Sequence, residues 1–220
     1  MRQFSRRPSG HQRGWVDLAA SCYFGWAVVS ILIRPAARND ALHVAAIVDI
    51  AGHGVDLDSW IRDSGQDHAV LEAARRAASA DANAPYHFSK SWLVEVDGTI
   101  AGGLVGELLA NNQDYAAEIS PALVPLVTLE TRLIGYWSIL AIATYREFRG
   151  RGLATRLLAH AGELASSAGA KGLCLTVEDA NFAAISVYQR LGFVAADKLP
   201  WIAYGGRSGP SEWIMMKRDF

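Results

Sequence analysis

Cysteine is nearly absent. The 220 residues hold two, Cys22 and Cys174, far apart and in no ligand-spaced cluster. That excludes a disulfide framework and a cysteine-based zinc site, and fits a reducing, cytoplasmic setting. The six histidines are scattered, with no HxxxH or HExxH pair, so no metal site is expected. Charge of either sign is not in excess: 21 basic against 22 acidic side chains leave a formal net charge of −1. Such a balance gives no global field to draw the chain to nucleic acid or anionic lipid. Internal repeats and low-complexity segments are also missing.

Apolar residues, by contrast, make up 51% of the chain, enough for a sizeable core in one domain. That domain is expected over residues 30–220, with residues 1–29 as an extension. Four arginines between Arg2 and Arg13 precede an apolar stretch from Trp15 to Ile33, broken by Asp17. Three readings of the extension stay open. It is disordered or begins upstream of a true start near Val28 or Val29; it is a packing helix; or it is a membrane or targeting segment. Against the last, Ser30–Arg34 followed by Pro35 reads as the first strand of the domain, and one segment cannot serve both uses.

Helix signals follow that strand. Asn39 or Asp40 suits an N-cap, apolar residues from Leu42 to Ile50 follow, and Gly52 and Gly54 stop the run. Asp67–Ala80 is alanine-rich and helical. Ser91–Val96 and Thr99–Leu109 flank Asp97-Gly98, a hairpin signal. A connector over 111–131 carries Pro121 and Pro125 and a short helical piece near Leu126–Leu133. Tyr136–Thr144 reads as a strand, Gly152–Ala168 as a helix ended by Gly169, and Gly172–Val177 as a buried strand. Asn181 caps a helix through Arg190, and closing strands start at Phe193 and Glu212. The order is β-α-α-β-β-β-α-β-α-β-β, a mixed α/β chain with hairpins.

Two runs carry the chemistry. The first is Arg149-Gly150-Arg151-Gly152-Leu153-Ala154, where a strand empties through a glycine-rich turn into a helix. Unpaired amides at a helix start, with the helix dipole behind them, favour a phosphate or pyrophosphate. Taken alone, the turn fits equally a tight connection with two solvated arginines. The second is Asn181 to Phe193. Asn181 and Tyr188 are seven apart and nearly in line on one helix face. They could touch one extended ligand, or simply cap and pack.

Together, Arg-x-x-Gly-x-Ala and, about thirty residues on, Asn-x-x-Ala-x-x-x-Tyr-x-x-Leu-Gly-Phe resemble the Gcn5-related N-acetyltransferase (GNAT) superfamily over roughly residues 30–220. Arg146 stands where that family often has proline. The resemblance implies a central, mostly antiparallel sheet with splayed fourth and fifth strands, flanked by helices. It implies transfer of an acetyl group from acetyl-CoA to an amine, without a covalent enzyme intermediate. Arg149, Gly150, Arg151, Gly152, Leu153, Ala154 and Thr155 would hold the pyrophosphate. The pantetheine would run beside Ile142, Ala143 and Thr144 and meet Asn181, and Tyr188 would protonate the leaving thiolate. The fourth strand has no glutamate where many relatives carry one. Glu107, Glu130 and Glu178 are then the candidates for the base, with Glu130 preferred for contact with a cationic amine.

The acceptor pocket is expected from residues 53–62, 114–131 and 201–211, with Trp60, Tyr115, Tyr136, Trp201 and Tyr204 as aromatics that could surround an amine. The apolar connector at Pro121–Leu126 is either a pocket wall or a homodimer contact. The favoured reading is a small-molecule N-acetyltransferase. A protein acetyltransferase, a non-catalytic acyl-CoA sensor and a membrane-tethered interaction protein remain alternatives.

Overall fold

The computed structural model describes residues 29–65, 69–110, 120–204 and 206–220. The expected extension over residues 1–29 therefore lies outside it except for Val29, as do Tyr115 and the first part of the connector. Strand β1 (Ile31–Pro35) is followed by α1 (Ala41–Ala51), α2 (Leu57–Ser64) and α3 (Val70–Ala77), then β2 (Ser91–Val96) and β3 (Thr99–Leu108). Helix α4 (Val124–Glu130) leads into β4 (Trp137–Thr144), α5 (Leu153–Ser167), β5 (Gly172–Glu178), α6 (Phe182–Arg190), β6 (Val194–Pro200) and β7 (Glu212–Asp219).

Helix α2 was not expected. Leu57–Ser64 places Leu57, Trp60 and Ile61 at helical spacing, but in only eight, mostly polar residues, too short a run to mark a helix by pattern alone. The Asp40 carboxylate also departs from the expected cap. It accepts the Ala37 amide at 2.8 Å and the Arg34 guanidinium at 2.7 Å rather than capping α1.

The strands form one seven-stranded sheet in the order β1-β2-β3-β4-β5-β7-β6, antiparallel except for the β4–β5 pair. Asp97 and Gly98 both take positive φ (51° and 77°), as a two-residue hairpin turn of the primed type requires. Side chains alternate across the sheet. On one face Leu104, Leu173, Leu175 and Met216 pack under Leu153, Leu157, Leu158 and Ala161 of α5, and α6 closes the same layer with Ile185 and Tyr188. On the other face Leu93, Val105, Ala141 and Ala143 pack under α1 and α3, while Cys174 and Met215 meet Leu129 of α4.

One irregularity positions the site. Val105 pairs with Ala141 and Gly106 with Ile139, so Leu140 is an extra residue in β4 with no β3 partner. A bulge resets the alternation. Trp137 and Ile139 face α5, whereas Ala141 and Ala143 face α1 and α3. Gly106 is required beside it, because a Cβ there would lie 2.3 Å from the Trp137 ring.

Candidate active site

Strands β4 and β5 pair only through Trp137–Ile139 and Leu173–Leu175. Both continue further, to Thr144 and Glu178, and diverge as they do. The divergence opens a slot whose wall is the backbone of residues 140–144, including Ile142, Ala143 and Thr144. It begins at the bulged Leu140.

At the end of β4 the chain turns through Arg146–Phe148 and reaches Arg149 in an extended conformation. Gly150 and Gly152 then take φ of 75° and 73°, the left-handed region that glycine enters without a Cβ penalty. Helix α5 makes its first backbone bond from the Arg156 amide to the Gly152 carbonyl, 3.2 Å. The amides of Gly150, Arg151, Gly152, Leu153, Ala154 and Thr155 precede it, at the positive end of a 15-residue helix. A Cβ added at Gly150 or Gly152 would meet nothing within 4 Å. The glycines thus serve the backbone conformation and leave open space outside the turn, as an anion cradle needs. Arginine side chains brace the turn. Arg149 Nε donates to the Thr144 carbonyl at 3.3 Å, and Arg151 lies over the Phe148 ring and donates to the Glu147 carbonyl at 3.3 Å.

On the same face Asn181 caps α6, its Oδ1 accepting the Ala184 amide at 3.2 Å. Two turns on, Tyr188 is half-buried with its ring 5.9 Å from that of Phe193, and its hydroxyl has no hydrogen-bond partner among the described residues. Burial pushes the phenol up to about 12, so it holds its proton at neutral pH.

The opposite face carries a cavity of about 710 Å³. Small side chains of α1 and α3, such as Ala45, Ala74 and Ala77, make its walls, with Trp60 of α2 and Leu126 of α4. Its floor reaches Ile139 and Leu140 of β4 and Thr176 of β5, at the point where the two strands part. Four carboxylates lie in its lining: Asp63 and Asp81 are exposed, Glu130 is half-buried and Asp56 is buried. Glu130, at the end of α4, accepts the Ser138 hydroxyl at 3.4 Å. Asp56, directly before α2, is 7% exposed. Burial, with a smaller contribution from the like charge of Asp49, raises its carboxyl to about 7.

The other carboxylates considered for the base are engaged elsewhere. Glu107 is paired with Lys90 at 2.6 Å. Glu178 is 4% exposed and receives both ends of the Arg207 guanidinium (2.7 and 2.9 Å) and His53 Nδ1 at 3.0 Å. Burial alone would raise its pKa; the His53 and Arg207 hydrogen bonds outweigh that and hold it down at about 2. Tyr204 joins the same cluster, with its hydroxyl 3.0 Å from Glu178 and 2.9 Å from the Gly52 carbonyl. Four side chains thereby clamp the turn before Asp56 to the end of β5 and to the β6–β7 loop.

Of the aromatics expected at the acceptor pocket, Trp60 lines the cavity. Tyr136 instead donates to Asp219 at 2.5 Å, and Trp201 packs against Tyr204. The stretch over 201–211 contributes nothing to the lining among the described residues, whereas α3 and the segment over 80–86, unforeseen, contribute much of it. Asp56 and Leu140 were likewise missed. A carboxylate at a helix start reads as a cap, and a bulge leaves no composition signal. Cys174 is fully buried, and that burial raises its thiol to about 12, which suits packing rather than nucleophilic chemistry. No helix among the described residues is long and apolar enough to cross a membrane.

Comparison with known proteins agrees with this geometry. The chain is 41% identical over 69 residues to N-alpha-acetyltransferase 30 of Schizosaccharomyces pombe, a match spanning 31% of this chain and 45% of that relative, less than half its length. Its fold is similar to that of an N-acetyltransferase from Staphylococcus aureus Mu50 (TM-score 0.61, 21% identity, 84% of this chain and 99% of that one). It is also similar to Ard1 from Thermoplasma volcanium (TM-score 0.52, 19% identity, 87% and 98%). The model of the acetyltransferase (GNAT) family matches residues 56–193, from the deep carboxylate of the cavity to the end of the Tyr188 helix. On that match and this architecture, the chain belongs to the acetyltransferase (GNAT) family.

Proposed function

We propose that this protein transfers an acetyl group from acetyl-CoA to the primary amine of a small molecule, by direct attack within a ternary complex. The observation that carries this reading is the meeting of two spaces at Leu140 and Thr176: a slot with an anion cradle on one face and an acid-bearing cavity on the other. The amides from Gly150 to Thr155, with Arg149, hold the pyrophosphate. Ile142, Ala143 and Thr144 offer their free strand edge to the pantetheine amides, and Asn181 adds a side-chain hydrogen bond. When bound, acetyl-CoA supplies an activated thioester carbonyl.

The bulged Leu140 gives the best placed backbone amide for negative charge developing on that carbonyl oxygen. Tyr188 donates a proton to the departing sulfur. Burial makes the phenol a weak acid, but a thiolate desolvated in the same slot becomes a stronger base for the same reason. Glu130 meets the cationic amine as it enters. The cytoplasm, where acyl-CoA thioesters occur, is the setting this reading calls for.

A protein amino terminus is the second acceptor to consider, because the Schizosaccharomyces pombe relative is named an N-alpha-acetyltransferase. Initial-rate kinetics on a panel of alkylamines, polyamines and short peptides test both. Turnover of small amines with intersecting double-reciprocal lines is expected. Turnover of peptides alone would move the acceptor to protein, parallel lines would contradict direct attack, and acetyl-CoA binding without turnover of any amine would point to a sensor.

A further inference from the structure

The proposed reaction leaves one step without a residue. A free alkylamine is protonated at neutral pH, and its nitrogen has no lone pair until a proton leaves. Resting on the acetyltransferase reading, we propose that Asp56 is the catalytic base that takes this proton. Asp56 lines the same cavity as Leu140 and Thr176, the residues at which β4 and β5 part, so an amine held there shares one space with its carboxylate.

Position is reinforced by anchoring. The Gly52–Asp56 turn is held by the Tyr204 hydroxyl on the Gly52 carbonyl and by His53 on Glu178, and the Asp56 carbonyl accepts the Trp60 amide at 3.1 Å to start α2. A base must be held still to act, and this turn is tied to the strand that bounds the slot.

The surroundings set its proton affinity. Asp49 of α1 adds like charge to the effect of burial, and together they bring the group into the range where a base works at neutral pH. Other charged groups about the cavity are Asp63 of α2, Arg76 of α3, Asp81 in the loop that follows it, and Glu130 of α4. Beyond Gly52 the Glu178 and Arg207 charges largely satisfy one another. Glu130 and Asp56 therefore divide the work, Glu130 contacting the ammonium and Asp56 removing its proton.

The step balances. Asp56 accepts one proton from the ammonium, and the neutral nitrogen forms a C–N bond at the thioester carbonyl. The C–S bond breaks with its electron pair on sulfur, which takes the Tyr188 proton. The second proton lost from nitrogen restores Tyr188, and Asp56 returns its own to solvent. The net products are amide, free thiol and one proton.

A plain helix-capping role for Asp56 is the competing account, and amine basicity separates the two. Ethylamine needs a base. Trifluoroethylamine, nearly the same in shape, is largely neutral at the assay pH and does not. Asp56→Asn and Asp56→Ser both retain a good capping residue. Both are expected to lose about 10²–10⁴-fold in kcat/KM for ethylamine and far less for trifluoroethylamine. The wild-type rise of kcat/KM through about pH 7 should vanish with them, and Asp56→Glu should restore part of the rate. Unchanged ethylamine turnover, or equal losses on both amines, would overturn the inference. Acetyl-CoA binding is titrated on the same samples. Binding intact with unchanged kinetics removes Asp56 alone, whereas no binding by the wild type removes the acetyltransferase reading as well.

Discussion

The two faces of the sheet are built by different rules. On the α5–α6 face, every group assigned to acetyl-CoA comes from a short continuous stretch, residues 140–155 or 181–188, and most of them are backbone amides. On the opposite face the cavity is assembled from α1, α2, α3, α4, β4 and β5, and its character comes from side chains that no single stretch contains. A ligand common to a whole family can be held by local backbone geometry. An acceptor particular to one protein needs a pocket that changes without disturbing that geometry.

Changes on the acceptor face should therefore spare acetyl-CoA binding. The largest effect on stability is expected from Arg207→Met. It leaves Glu178 buried beside only His53 and Tyr204, and should cost about 3–5 kcal/mol in chemical denaturation. The pH dependence has a definite sign. Glu178 sits at about 2 in the fold against an ordinary value of 4.5, so its stabilisation is present above pH 4.5 and is lost as pH falls toward 2. The variant should flatten that acid limb, and an unchanged limb would show that the clamp contributes little.

Tyr188→Phe crosses to the other face and should separate binding from chemistry. It should lower kcat by about 10²-fold with acetyl-CoA affinity within a factor of about two, because the ring still packs on Phe193. A variant as fast as the wild type would assign sulfur protonation to another group.

Asp56→Asn should have a smaller effect on stability than Arg207→Met, and in the opposite direction. Native Asp56 titrates near 7 and the unfolded residue at 3.8, so between those values the native state binds more protons and stability falls as pH rises. The cost is complete above pH 7. Asparagine removes it, so the variant should be roughly 2–4 kcal/mol more stable than the wild type at pH 8 and little changed near pH 4. No difference between the two pH values would mean that the carboxylate is better solvated than its burial implies.

The same contrast explains what the sequence made legible. Gly150, Gly152, Asn181 and the Asp97-Gly98 turn act within a few residues of themselves, and their elements formed where the spacing predicted. The resemblance to the GNAT family rested on equally local runs, Arg149 to Ala154 and Asn181 to Phe193. The β4 bulge escaped notice because Leu140 differs from its neighbours only in its pairing partner, Val105 and Gly106 lying some 35 residues earlier. Asp56 escaped because it stands directly before α2, an eight-residue helix too short to be marked by pattern alone. Glu178 was weighed as a base because Arg207, 29 residues away, could not be seen to reach it.

The central claim is that the turn from Arg149 to Thr155 is where acetyl-CoA binds. Calorimetric titration of the purified protein with acetyl-CoA, wild type beside Arg149→Glu/Gly152→Asp, tests it most directly. The account predicts micromolar binding by the wild type and no detectable binding by the variant, in which two carboxylates occupy a cradle built for anions. A folded wild-type protein that does not bind acetyl-CoA, or a variant that binds it equally well, would contradict it.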